Sequence, residues 1–227
     1  MKTISRIILC MFFSICLFSP ASAAYWDDTE PEPDYTPDMP EYHSNEGGVH
    51  YLNRDYDQAI VSYQRAVELD PNFRNAFHGL ALTYHALGRL DLALDNYGEV
   101  IRLAPDYAQP YLKRAELYQC MGRMEEAEKD LGMFVRLYGQ YPVPYIARGD
   151  FFMEKGAYGR AAEDYAMAME KNPALLSAYV KNAEALLLSG RSKEASEVFT
   201  RAAALADGET SPPNVTEDAD RPITFND

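Results

Sequence analysis

Four histidines, His43, His50, His78 and His85, are the side chains of this 227-residue chain best suited to hold a metal or move a proton. The last two stand seven residues apart, about 10.5 Å along one helix and too far to share an ion within it. Cys120 is the only cysteine beyond the first 16 residues, and with its distant histidines it forms no nucleophile–base pair of the kind that activates a thiol. No Gly-rich phosphate loop, paired-cysteine metal spacing or nucleophile elbow occurs. The expectation is a protein without catalytic residues, without a metal and without a cofactor. What remains for it is binding by shape and charge.

The charge is acidic, with 21 Lys+Arg against 35 Asp+Glu and a net of −14. There is no basic surplus to neutralise phosphates or anionic lipid, so nucleic acid and simple electrostatic membrane docking are excluded as main partners. Lys2 and Arg6, an apolar run from Ile7 to Phe18 and the small-residue triplet Ala21-Ser22-Ala23 form the pattern of a secretory signal peptide over residues 1–23. The run is too short for a spanning helix, which needs about 20 apolar residues. The expected mature chain begins at Ala24 and retains one cysteine, Cys120, which is expected to be shielded by packing. Most of its acidity lies at two ends. Residues 24–45 hold seven acids, four prolines and no Lys or Arg; residues 207–227 hold six acids against Arg221. Both ends offer little apolar surface to offset ordering entropy and read as an acidic Pro-rich linker (24–39) and an acidic tail (210–227).

Between them the chain repeats every 34 residues. Ala59, Ala93, Ala127, Ala161 and Ala195 share one register. So do Gly88, Gly122, Gly156 and Gly190, and likewise Pro71, Pro105 and Pro173. Two further rows are mostly aromatic: Tyr63, Tyr97, Leu131, Tyr165, Phe199, and Phe77, Tyr111, Tyr145, Tyr179. Within one period, Phe77, Leu80, Ala81, Tyr84 and Leu87 follow the spacing of a buried helical face. Gly88 supplies a left-handed residue past its end. A second helix from about Asp91 to Leu103 follows, stopped by Pro105. The alanines let two antiparallel helices approach, and the aromatics fill the space between one hairpin and the next. One hairpin cannot bury its faces alone, so the units must stack.

The segments RDYDQAIVSYQRAVELDPNF (54–73) and GRLDLALDNYGEVIRLAPDY (88–107) make this repeat resemble the tetratricopeptide repeat, a helix–turn–helix unit of the same period. The resemblance implies an all-α fold, an α-solenoid of about five TPR helix-turn-helix units (40–73, 74–107, 108–141, 142–175, 176–209) wound into a right-handed superhelix. The first unit departs from the pattern. Its His43, Glu46 and His50 replace apolar residues, and Gly47-Gly48 weaken its first helix, which is expected to be short or frayed. Gly139 in place of a proline predicts an altered turn after the third unit. The fifth unit lacks a solvating cap, so its last face around Val198 and Leu205 is a candidate self-association surface.

In proteins that this chain resembles, first-helix residues line the concave groove. Carried over, the groove residues are Asn75, His78, Leu82 and His85; Leu112, Glu116 and Gln119; Ile146, Asp150 and Met153; and Val180, Glu184 and Leu187. His78, Leu112, Ile146 and Val180 form a largely apolar stripe beside an acidic ladder of Glu116, Asp150 and Glu184. That pairing suits a protein or peptide segment with apolar and basic residues. The expectation is therefore an exported scaffold in the periplasm, or alternatively extracellular, serving cell-envelope assembly, secretion or pilus biogenesis. The alternative is a self-assembling structural array, a homo-oligomer joined through its terminal repeats.

Overall fold

The computed structural model describes residues 36–208, among which there are ten α-helices and no strand. The signal peptide, most of the acidic linker and the tail lie outside the described residues. The helices are α1 Pro40–Leu52, α2 Tyr56–Leu69, α3 Arg74–Ala86, α4 Leu90–Leu103, α5 Ala108–Cys120, α6 Met124–Tyr138, α7 Val143–Glu154, α8 Tyr158–Lys171, α9 Leu176–Leu188 and α10 Ser192–Ala206. They pack as five consecutive pairs, each pair against the next, so the core runs along the array as a series of linked clusters. None of these helices is long and apolar enough to cross a membrane.

The residue rows map onto this architecture directly. All five alanines of the first row are fully buried at the crossing of the two helices in their hairpin. Gly88, Gly122, Gly156 and Gly190 each take φ between 68° and 82° just past a first helix. The amide of Arg89 then reaches back to the Tyr84 carbonyl at 2.9 Å, closing a Schellman turn. In the first hairpin the same position is Arg54, whose φ is 65°, and the amide of Asp55 reaches the His50 carbonyl at 2.9 Å. A side chain in this conformation is strained by about 1 kcal/mol. Arg54→Gly is therefore expected to raise the urea midpoint, with a gain of about 1 kcal/mol.

The aromatic rows have two distinct jobs. Tyr111 and Tyr179 donate to the carbonyls of Pro105 and Pro173, both at 3.0 Å, and so tie the start of a hairpin to the turn before it. The other row inserts between hairpins. The Tyr63 ring lies over Gly47 of its own hairpin and Gly79 of the next, with no room for a Cβ at either.

Two expectations are corrected here. Helix α1 is a full 13-residue helix. Gly47, expected to weaken it, is buried because Tyr63 occupies the volume a side chain would need. The propensity cost is outweighed by ring burial. Cys120 is exposed, not shielded; it is the last residue of α5. The third inter-hairpin turn does differ: Gly139 stays helical at φ −71°, whereas Asp70, Ala104 and Asn172 at the other turns are extended.

Candidate protein-binding surface

The expected groove residues stand in register on α3, α5, α7 and α9, yet their surroundings differ along the array. Asn75 is exposed; His78, Leu82 and His85 are half-buried. The His78 ring meets Tyr97 and Tyr107 edge-on at centroid distances of 6.1 and 6.4 Å. Burial, assisted by the nearby Arg74 charge, lowers its pKa and keeps it a neutral packing residue. Leu112, Ile146 and Met153 are half-buried against the core clusters. Each is partly covered by the following hairpin. Only in the last hairpin do these positions open, with Val180 46% and Leu187 47% exposed. The apolar stripe is thus largely packing between successive hairpins, and its solvent-facing part is concentrated on α9.

The acidic ladder is likewise only partly free. Lys113, one turn before Glu116, bonds its carboxylate at 2.9 Å. Asp150 accepts from Lys181 of α9 at 2.7 Å and from the Tyr165 hydroxyl at 2.5 Å. Gln119 donates to Glu154 of the next first helix at 3.1 Å. Glu184 is exposed, and among the described residues no cation pairs with it. The expectation of three open carboxylates is corrected to one. The cause is that Lys113 on the same helix pairs with Glu116, and Lys181 on the next first helix pairs with Asp150.

Sequence reasoning missed the interactions that hold these helices at fixed spacing. Arg114 makes two hydrogen bonds to Asp130, at 2.7 and 2.8 Å, and Arg148 makes two to Asp164, at 2.9 and 2.7 Å. Both aspartates are buried. The hydrogen bonds to these carboxylates hold both guanidiniums more firmly protonated than usual. Each pair spans a first and a second helix, and the two pairs are related by the 34-residue step. An Arg and an Asp repeating together in that register was the available signal. In the last hairpin Asn182 takes the arginine's place and donates to the Ala162 carbonyl at 2.6 Å.

A second consequence of the repeat concerns Tyr97. Its counterpart Tyr165 bonds Asp150, but the residue equivalent to Asp150 in the Tyr97 hairpin is Leu82. The Tyr97 hydroxyl is buried with no partner among the described residues, and burial pushes its pKa above the usual tyrosine range. Tyr97→Phe is expected to leave stability unchanged or raise it by up to about 1 kcal/mol, since it removes an unpaired buried hydroxyl. Tyr165→Phe is expected to cost about 1 kcal/mol, because it removes a bond to a carboxylate. Parallel urea unfolding of the two variants checks the contrast.

A TPR repeat family model matches residues 51–88 and 83–122. The fold is a TPR solenoid. A crystal structure of MamA protein superposes with a TM-score of 0.65 at 21% identity, over 78% of this chain and all of that one. A MamA fragment from Desulfovibrio magneticus RS-1 gives 0.62 at 14% identity, over 76% and 97%. YrrB, a TPR protein with an unusual peptide-binding site, gives 0.60 at 16% identity, over 75% and 88%. Superkiller complex protein 3 of Mus musculus is 46% identical over 52 residues, 23% of this chain and only 3% of its own length. These likenesses concern the fold and the repeat.

Proposed function

We propose that this protein is a non-catalytic TPR adaptor that holds a segment of another protein against its first-helix face. The observation that carries this reading is the exposed apolar surface on the first helices of the last two hairpins. Val143, Leu176, Val180, Leu187 and Leu188 stay exposed there, while the alanine row is buried in every hairpin. An exposed apolar surface of this kind supports a binding face. The peptide-binding site named for YrrB, on the same fold, supports it. We further propose export to the periplasm, with a role in envelope assembly, secretion or pilus biogenesis. That part rests on the composition of residues 1–23 alone.

Two measurements test the reading. A photo-crosslinking residue at Gln119, on the first-helix face, is expected to give a protein adduct in cells, and the same residue at Arg65, on the exposed side of α2, is not. Equal yields at both positions, or none at either, would refute the binding face. Intact-mass analysis of the protein from the envelope fraction is expected to show loss of residues 1–23; a full-length chain in the cytosol would refute export.

One observation favours self-assembly as a second reading. Phe199 is 42% exposed, whereas Tyr63, Tyr97, Leu131 and Tyr165 in its row are buried. The rest of that face is adapted to solvent, however. Ser192, Ser196 and Ala203 stand where the preceding hairpin has Tyr158, Ala162 and Met169. Val198 and Leu205, expected as the open face, pack inward against α8 and α9 instead. The last hairpin is therefore partly its own cap, which leaves a small apolar area for self-contact.

A further inference from the structure

The end of the array carries a more specific surface. On α9, Val180, Glu184 and Leu187 share one helical face, spaced by four and three residues. Phe199 of α10 stands at the position of Tyr165, and in the preceding hairpin that position touches the one equivalent to Glu184: the Tyr165 hydroxyl bonds Asp150. The four residues thus correspond, one for one, to Ile146, Asp150, Met153 and Tyr165. In that hairpin the same set is covered by a helix, α9 itself. Lys181 of α9 bonds Asp150 at 2.7 Å and lies 5.8 Å from the centre of the Tyr165 ring. The buried residues of α9 that flank Lys181 on its side of the helix are small, Ala178, Asn182 and Ala185, while the large buried Tyr179 and Leu186 lie farther round. Past α10 no such helix follows among the described residues, and Val180, Glu184, Leu187 and Phe199 are all exposed.

We propose that this end face is a docking site for one helix of a partner protein, presenting a lysine within a stripe of small residues, seated as α9 is seated on α7 and α8. The lysine would bond Glu184 and lie over Phe199, while the small residues admit Val180 and Leu187. Charge complementarity selects this occupant over a second copy of the chain. In head-to-tail stacking, α1 would place Asn45 at the Lys181 position with the exposed Glu46 beside it, so an acid rather than a cation would face Glu184. The inference rests on the proposed adaptor role only in taking the partner to be a protein. It does not need the central groove, which the Gln119 crosslink tests separately.

The test uses the purified full chain and a fluorescent, stapled 13-residue helix copying residues 176–188, LSAYVKNAEALLL. The peptide is expected to bind with micromolar affinity. Replacing its lysine with glutamate, or Glu184 of the protein with lysine, is expected to weaken binding by roughly tenfold. Combining the two swaps is expected to restore it. Far-ultraviolet dichroism confirms that Glu184→Lys stays folded, as an exposed residue should. Absence of binding, or binding insensitive to the swaps, overturns the proposal. So does a peptide that binds only after residues 209–227 are removed, which would make the chain's own tail the occupant. A dimeric mass by light scattering, abolished by Phe199→Asp, would make it a second copy.

Discussion

Asp130→Ala is expected to lower the unfolding free energy by about 3 kcal/mol, among the largest single losses available in this chain. The substitution removes a carboxylate that is almost fully buried and leaves the Arg114 guanidinium without its two hydrogen bonds. Arg114 is itself only one-fifth exposed and is flanked by the rings of Tyr111 and Tyr118 at 5.9 and 5.8 Å, so it cannot swing freely into water. An uncompensated buried charge is far more costly than the intact pair is favourable. The paired substitution Arg114→Leu with Asp130→Leu is accordingly expected to restore most of the loss. Arg148 and Asp164 repeat the arrangement in the next hairpin, and Asp164→Ala should behave alike. For an array of this length, about 3 kcal/mol corresponds to a fall in Tm of roughly 6–12 °C. Dichroism-monitored melting of the two single variants and the double variant decides the matter. A single variant within about 0.5 kcal/mol of wild type would show that the pair is not the clamp its geometry describes.

Gly79→Val is the second large effect, expected to cost about 3 kcal/mol through overpacking. A Cβ at Gly79 would overlap the Tyr63 ring, and the ring has little room to retreat because it also packs against Gly47, so closely that a Cβ added there would lie 2.8 Å from it. Tyr63 is buried, so the clash falls between the first two hairpins and should weaken their junction. Gly98→Ala is the matched control. That glycine is also helical, nothing lies within 4 Å of its added Cβ, and alanine there should stabilise by about 0.5–1 kcal/mol. Combining Gly79→Val with Tyr63→Ala should recover part of the loss, since contacting residues couple. A Gly79→Val variant as stable as wild type would mean that the junction is looser than the ring packing indicates.

Several features of this protein were legible in the 34-residue register. The alanine row marks close helix crossings and the glycine row marks left-handed turns, because each needs a specific residue type at one local backbone geometry. The altered turn at Gly139 was legible for the same reason. The strain at Arg54 corresponds to the gap in the glycine row, where the first hairpin has a side chain at the left-handed position. Gly47 was misread as a weakness because helix propensity is local, whereas the ring that fills its space comes from the next helix. The expected groove suffered the same way. Spacing places His78, Leu112, Ile146 and Val180 in one row, but it cannot show that the first three are partly covered by the hairpin that follows each.

The sequence by itself determined the all-helical repeat, its period and the rows that close it. These depend on backbone geometry and on positions within one unit, which recur and can be counted. Only the tertiary structure decided which acids are open. Lys181 reaches back to Asp150 of the preceding hairpin, whereas among the described residues no helix follows to supply Glu184 with a cation. It also decided that the exposed residue of the last face is Phe199 and not Val198, one position away. A repeat assigns every unit the same contacts, but among the described residues no further helix follows α10 to make them, so Val180, Glu184, Leu187 and Phe199 stay exposed.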